Sequence, residues 1–248
     1  MIKHRFPGLI LIIGLLLGAP TQAADTKTPL DKQAVEKILR DILRENPEIV
    51  VEAIETYRAK QEAAKQEKAR ETLAAKREEL ENGPLLPIGG NPKGTVTIVE
   101  FFDYQCGYCK RVLPSVLSLL ESDKTIKYVF TEFPILGPAS LLASQAALAV
   151  WKMDKSKYVP FHTALMSSRG GLNQDKIMRL ARETGIDSVS LQAHMQDPGI
   201  QKTLQKNIEL AQALNINGTP AFIIGDQIVP GAVELDDLKR LVEASRKN

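Results

Sequence analysis

A change of period in the apolar pattern organises the middle of the chain. Residues 98–120 begin with the β-branched and aromatic character of a strand buried on both faces, break at Asp103, and continue with apolar residues at helical spacing. A second buried strand is predicted over residues 126–133. After Pro138, roughly 75 residues show helical periodicity and no strand pattern. The pattern therefore predicts a β-α-β unit followed by a helical block.

The strand pattern returns near the C-terminus. Residues 221–224 and 227–229 are rich in apolar residues and flank a Gly-Asp turn, which is typical of a β-hairpin. A closing helix is predicted over residues 234–246. The helical block is thus followed by a hairpin and one more helix.

A separate helical region precedes the first strand. Apolar residues at helical spacing between residues 30 and 43 predict a helix that Asp31 caps and Asn46-Pro47 ends. A second helix should begin at Pro47 and bury four side chains, namely Val50, Val51, Ile54 and Tyr57. An amphipathic helix of about 15 residues is marginal alone, so this stripe needs a partner.

The stretch after Tyr57 is rich in Ala, Glu, Lys and Arg and predicts a solvated spacer helix of about 35 Å. Leu73 and Leu80 lie one heptad apart, which is too little for a coiled-coil seam. Residues 83–94 contain four Gly and three Pro and mark the domain boundary. Because these segments separate the stripe from the rest of the chain, we favour a homo-oligomer formed through residues 28–60 over packing within one chain.

Composition and charge narrow the class of protein. With 44% hydrophobic and 25% charged residues among 248, the chain is globular. Residues 1–23 have a basic start at Lys3 and Arg5, an apolar stretch and a small-residue cleavage site, so they predict a signal peptide. Its removal leaves 30 basic and 30 acidic residues, because 32 minus two is 30, and so no nucleic-acid partner is expected.

The two cysteines are the candidate chemistry. Cys106 and Cys109 lie three positions apart at a predicted helix start, where the sulfurs can meet and unpaired backbone N–H groups favour a thiolate at Cys106. A structural zinc would need about four ligands, and the exported chain adds only His162 and His194. We therefore predict a redox-active dithiol with no metal or other cofactor, the alternatives being a metal site or an inert structural disulfide.

From Pro87 to about Arg246 the sequence resembles the DsbA-like periplasmic thiol-disulfide oxidoreductases, and within them the exported proteins related to ScsC. The motifs that carry the resemblance are Phe101-Phe102-Asp103-Tyr104-Gln105-Cys106, the proline five residues after Cys109, Thr219-Pro220, and Asn46-Pro47-Glu48 before a Val-rich helix. The order of predicted elements is that of a thioredoxin fold.

The resemblance implies an α/β protein with a DsbA-like thioredoxin fold and an inserted helical domain over about 138–214, preceded by an extended N-terminal helical segment. Residues 24–82 would then be a helical oligomerisation segment and residues 83–248 the thioredoxin domain. The expected location is the periplasm of a Gram-negative bacterium, and the expected partners are substrate proteins with disulfides or thiols.

Two positions depart from the strongly oxidising DsbA pattern, which has Pro-His between the cysteines and Val before the cis-proline. Here they are Gly107-Tyr108 and Thr219, the same as in the disulfide isomerase DsbC. Loss of an imidazolium near Cys106 should make the reduced form less favoured and the couple less oxidising. We therefore expect an isomerase or reductase that a membrane partner of the DsbD type reduces.

Two alternative functions remain. One is a dithiol oxidase of the same fold, served by a membrane partner of the DsbB type. The other is a periplasmic copper-handling protein that holds Cu(I) between the two thiolates, which suit a soft ion; ScsC-type relatives are associated with copper tolerance.

The resemblance also implies roles for single residues. Cys106, exposed at the helix start, attacks a substrate disulfide, and Cys109 resolves the mixed disulfide. Pro220 is expected to be a cis-proline facing the dithiol and, with Thr219, to offer backbone groups to an extended substrate. Glu100, inside an apolar strand, is the candidate for a buried acid that exchanges a proton with Cys109, the alternative being a salt bridge to a lysine.

Overall fold

The computed structural model describes residues 31–247. The predicted signal peptide, residues 1–23, lies outside the described residues. The chain divides into two compact units, one ending at Arg58 and one beginning at Ala59. No helix within residues 31–247 combines the length and apolar character needed to cross a membrane.

The first unit contains helix α1, Lys32–Glu45, and the start of helix α2, Glu48–Asn82. As predicted, the side chain of Asp31 caps α1 by accepting a hydrogen bond from the backbone N–H of Gln33, and Asn46 ends the helix. Nine large apolar side chains are 41–63% exposed: Ile38, Leu39, Ile42, Leu43, Ile49, Val50, Val51, Ile54 and Tyr57. In the described single chain these side chains are therefore exposed, and the predicted burial of Val50, Val51, Ile54 and Tyr57 stays a prediction about the assembled protein.

The second unit is built on a five-stranded sheet with the order β1-β3-β2-β4-β5. Its strands are β1, Ile88–Gly90; β2, Val96–Phe102; β3, Ile126–Glu132; β4, Ala221–Ile224; and β5, Gln227–Pro230. Strands β2 and β3 are parallel, and all other neighbours in this sheet are antiparallel. Parallel pairing requires a crossover, which helix α3, Gly107–Ser122, supplies.

Five helices between β3 and β4 form the predicted block, and a closing helix follows β5. They are α4, Pro138–Met153; α5, Lys155–Ser167; α6, Gln174–Glu183; α7, Ser188–His194; α8, Pro198–Ala213; and the closing α9, Leu235–Ser245. The predicted order of strands and helices is thus confirmed.

Strand β1 lies inside the stretch interpreted as the domain boundary. It pairs with β3, and a Cβ on Gly89 would come within 2.7 Å of the Phe130 ring. Glycine in this stretch is therefore needed for close approach of an edge strand.

The end of α2 corrects the spacer interpretation. Leu73 and Leu80 are each 2% exposed and share a core cluster with Val99, Phe101 and Ile223 on one face of the sheet. Residues seven apart lie on the same side of a helix, so the pair forms an apolar contact instead of a weak heptad seam. The unit that holds the sheet accordingly begins upstream of the boundary predicted at residue 83.

Candidate active site

The two cysteines lie where strand β2 passes into helix α3. Cys106 is the N-cap residue of α3 and Cys109 lies in its first turn. Both are free thiols, and the side chain of Cys106 makes no capping bond. The turn is closed by Asp103, whose Oδ1 accepts from the N–H of Gln105 at 2.7 Å and whose carbonyl accepts from the N–H of Cys106 at 3.1 Å. The first sulfur is therefore placed at a helix N-terminus, where backbone N–H groups favour negative charge.

Cys106 is more covered than the sequence predicted. It is 7% exposed and Cys109 is 1% exposed, so the expected order of access holds but the exposed first thiol does not. The reason is the loop before β4: the Sγ of Cys106 donates to the carbonyl oxygen of Thr219 at 3.2 Å. The Thr219–Pro220 peptide bond is cis, as the resemblance implied, and Pro220 is buried.

The residues between the cysteines face outward. Tyr108 is 59% exposed, and the guanidinium of Arg111 lies 5.1 Å from the centroid of its ring, a cation–π distance. A Cβ on Gly107 would meet no atom within 4 Å. These two positions therefore form a rim beside the dithiol.

Glu100 is buried beside the dithiol. It is 3% exposed, and the Tyr128 hydroxyl donates to its Oε2 at 2.6 Å. Burial raises the pKa of Glu100 to about 7. Among the described residues it forms no salt bridge, so the alternative of a lysine partner is wrong.

Cys109 is kept protonated by the same environment. Burial is the main cause that raises the pKa of its thiol far above the ordinary value, and the negative charge of Glu100 adds to the effect. The second thiol and the buried acid thus interact electrostatically, which makes proton exchange between them physically reasonable.

Asp103, for which the sequence predicted no role, links the active-site turn to the segment after β3. Its buried Oδ2 accepts from the backbone N–H groups of Ile135 at 2.9 Å and Leu136 at 3.0 Å, and Ser140 Oγ donates to Oδ1 at 2.7 Å. Asp103 therefore joins the turn that carries Cys106 to the loop after β3.

Glu132 was also missed. It is fully buried at the end of β3, where burial raises its pKa to about 8, and it accepts hydrogen bonds from Tyr104, Tyr158 and Ser144. The signal that could have found it is the one that identified Glu100, a carboxylate within an apolar strand. His162, considered above only as a possible metal ligand, is buried beside this group.

Comparison with known proteins shows which family has this fold and this pair of cysteines. A family model described as a DSBA-like thioredoxin domain matches residues 97–243, more than half of the chain. The chain belongs to the DsbA-like thioredoxin-domain family. A second family model, described as the N-terminal domain of copper resistance protein ScsC, matches residues 31–64.

Several relatives support this membership in the DsbA-like family. The chain is 43% identical to a thioredoxin-like oxidoreductase from Silicibacter pomeroyi, with a TM-score of 0.67, covering 69% of this chain and 98% of that one. A linker-deletion variant of Proteus mirabilis ScsC is 31% identical, with a TM-score of 0.70, covering 90% and 99%. Disulfide bond formation protein D of Bacillus subtilis is 26% identical over 65% of this chain and 77% of its own length.

A further match covers much less of the relative. The chain spans 24% of the length of Na(+)/H(+) antiporter NhaA 1 from Salinispora arenicola, at 24% identity. Nothing of that protein's transport activity is carried over to this chain.

Membership in the DsbA-like family confirms the predicted class of activity. The chain is a thiol-disulfide oxidoreductase with substrate proteins as partners, and its fold is the predicted thioredoxin fold with an inserted helical block and an N-terminal helical segment of the ScsC type.

Proposed function

We propose that this DsbA-like protein is a periplasmic disulfide isomerase or reductase that works through Cys106 and Cys109. The observation that carries the proposal is the environment of Cys106. Its sulfur lies 3.2 Å from the carbonyl oxygen of Thr219, with Gly107 and Tyr108 at the rim and no imidazole between the cysteines. Such a site gives the thiolate less stabilisation than one with a histidine there, and so favours a less oxidising couple.

The chemistry begins at Cys106. Its thiolate attacks one sulfur of a substrate disulfide, a new S–S bond forms, and the other substrate sulfur leaves as a thiolate. In isomerisation a substrate thiolate then attacks the mixed disulfide and releases Cys106. In reduction Cys109 attacks instead, which forms the Cys106–Cys109 disulfide and frees the second substrate thiol.

Glu100 is proposed to accept the proton that Cys109 must lose before it can attack. With a pKa of about 7, its carboxylate is a suitable acceptor near neutral pH. Because burial holds Cys109 as a thiol, resolution is slow unless that proton has an acceptor nearby. The rate of proton transfer to Glu100 would then set how long a substrate thiolate has to attack the mixed disulfide before Cys109 does. Thr219 and Pro220 would pair with an extended substrate segment.

Residues 28–60 are proposed to hold protomers together. The exposed apolar side chains of α1 and of the first turns of α2 lie in this range, and the ScsC N-terminal match covers most of it. Exposed apolar residues in such number are typical of an interaction surface. An oligomer would bring two or more dithiols to one misfolded substrate.

The remaining assignments follow from this proposal. Residues 1–23 would be the export signal, residues 24–82 the oligomerisation segment, whose last helical turns pack on the sheet through Leu73 and Leu80, and residues 83–248 the DsbA-like domain. A membrane partner of the DsbD type would keep the dithiol reduced.

Two other functions are alternatives to this proposal. An oxidase of the same fold would use the same two thiols and a DsbB-type partner. Copper handling is favoured by the ScsC match, and Cu(I) would depend on the two thiols, because the described residues contain no cluster of three or more His, Cys, Asp or Glu side chains placed to hold a metal. Stoichiometric Cu(I) binding by the reduced protein, lost in Cys106→Ser, would support this alternative.

The proposal is tested with a scrambled protein that has several disulfides. The chain without residues 1–23 should restore its activity, Cys106→Ser should not, and Cys109→Ser should accumulate the mixed disulfide. Rapid oxidation of a fully reduced substrate without rescue of the scrambled one would identify an oxidase instead.

A further inference from the structure

The buried carboxylate of Glu132 is shared by the active-site turn and two helices of the inserted block. Its Oε1 accepts from the hydroxyl of Tyr104 at 3.0 Å and from that of Tyr158 at 2.9 Å, and its Oε2 accepts from Ser144 Oγ at 2.7 Å. Tyr104 lies two residues before Cys106, whereas Ser144 lies on α4 and Tyr158 on α5. A single side chain thus connects the dithiol segment to the block.

His162 fixes the other side of the Tyr104 hydroxyl. Its Nδ1 lies 3.1 Å from that oxygen, and burial lowers the pKa of His162 to about 3, so the imidazole is neutral. The hydroxyl has one hydrogen, and when it donates this to Glu132 its oxygen can accept from the Nδ1–H of the His162 tautomer that carries its proton there. The ring of Tyr104 is completely buried and held from two directions.

The position of Tyr104 controls that of Cys106, since only Gln105 separates them. The turn is closed by the bonds to Asp103 already described, so a shift of the tyrosine is passed to the cysteine. The bond from Cys106 Sγ to the Thr219 carbonyl depends on this placement. That bond exists in the thiol form and is absent from the disulfide, which has no hydrogen to donate.

We propose that Glu132 is a positioning residue for the dithiol: through Tyr104 it holds Cys106 against Thr219 and so favours the reduced form. The proposal rests on the dithiol roles given above to Cys106 and Cys109. Those roles are tested separately by glutathione exchange, which the wild-type protein should show and Cys106→Ser should not. A wild-type protein that failed to exchange would refute the dithiol roles before any Glu132 variant is measured.

The test compares two tyrosines that donate to the same oxygen. Tyr104→Phe should shift the equilibrium with glutathione toward the disulfide by roughly three- to tenfold, the range expected for one lost hydrogen bond. Tyr158→Phe, the matched control, removes an equivalent bond far from the cysteines in sequence and should leave the equilibrium within about twofold. Both variants should lower the melting temperature. No shift in Tyr104→Phe, or an equal shift in Tyr158→Phe, would overturn the proposal.

Substitutions of Glu132 itself separate position from charge. Glu132→Leu should reproduce the shift of Tyr104→Phe, and the two changes combined should not add, because they remove the same link. Glu132→Gln keeps an acceptor oxygen, so its equilibrium with glutathione should stay within about twofold of the wild-type value. A shift in Glu132→Gln as large as in Glu132→Leu would assign the effect to charge and overturn the positioning role. Should Glu132→Leu fail to fold, the comparison of the tyrosine variants still decides.

Discussion

At the scale of single residues, three buried carboxylates lie at the dithiol or contact the turn that carries it. Glu100 and Glu132 lie on neighbouring strands, and burial raises the pKa of both. Asp103 closes the turn between them and the cysteines. Buried acids cost stability, so Glu100 near Cys109 and Glu132 behind Tyr104 point to roles in chemistry and geometry more than in folding.

Glu100→Gln should stabilise the reduced protein in a pH-dependent way. An acid whose pKa is raised from 4.5 to about 7 on folding costs nothing below pH 4.5, and the folded state loses stability as pH rises through 7. The loss amounts to up to about 3 kcal/mol. The variant should therefore gain free energy of unfolding at pH 8 relative to pH 4, measured by denaturant titration. Glu121→Gln, an exposed carboxylate on α3, is the control and should show no such gain; a difference between Glu100→Gln and wild type that does not vary with pH would contradict the assignment.

Tyr108→His should make the protein more oxidising. An imidazolium next to the Cys106 thiolate stabilises the reduced form, and we expect the equilibrium with glutathione to move toward the dithiol by roughly three- to tenfold, where tenfold corresponds to about 30 mV. Tyr108→Phe retains the ring without the charge and serves as the control. If both variants gave the same equilibrium constant, the residues between the cysteines would not set the potential here.

Some of this residue-scale detail could be predicted from the sequence. The cysteine spacing, the cis-proline and Glu100 follow from motifs or from a charge in an apolar strand. Most hydrogen bonds of Asp103 and Glu132 could not be predicted. Except for the bonds within the turn to Gln105 and Cys106, their partners are at least 12 residues away in sequence. The coverage of Cys106 by Thr219 has the same origin, a contact between residues 113 apart.

At the scale of elements, helix α2 combines two kinds of surface. Its first turns expose apolar residues, and its last turns bury Leu73 and Leu80 against the sheet. Local periodicity predicted the helix correctly but not the burial of its end, because two leucines in a charged stretch carry little signal without knowledge of the sheet face they meet. Strand β1 was not predicted for a related reason, since its glycines suit both a domain boundary and a closely packed edge strand.

Leu80→Ala tests the packing of this helix end. Leu80 is 2% exposed, so its truncation should lower the free energy of unfolding by about 2–4 kcal/mol. The loss comes from apolar burial and from the cavity left behind. Glu71→Ala, an exposed position on the same helix, should change stability by less than about 0.5 kcal/mol. Equal small effects in equilibrium unfolding would restore the interpretation of α2 as a solvated spacer.

At the scale of the whole molecule, the chain combines a catalytic unit with the surface proposed for self-association. The catalytic unit carries the family's thiol-disulfide chemistry, and the exposed apolar residues up to Tyr57 form the proposed surface. The proposed isomerase activity requires both the dithiol and the association surface, because several dithiols held together can act on one scrambled substrate. A monomer with a single dithiol is expected to favour oxidation of reduced substrates instead.

The double variant Leu39→Glu/Ile42→Glu should break the oligomer. The change replaces two exposed apolar side chains of α1 with carboxylates. An interface through α1 would have to desolvate both charges, at a free-energy cost that a small helical contact cannot offset. Light scattering should then give the monomer mass, with the rate of Cys106 alkylation unchanged. An unchanged mass would show that residues 28–60 are not the contact.

Rescue of a scrambled multi-disulfide protein, measured for wild type and for Leu39→Glu/Ile42→Glu with the mass determined on the same samples, tests whether isomerase activity depends on the proposed oligomer. We expect the wild-type oligomer to restore the substrate's activity. The monomeric variant, its dithiol intact, should lose most of this rescue and gain oxidation of reduced substrate. Equal rescue by a monomer, or no rescue by the wild-type oligomer, would contradict this dependence.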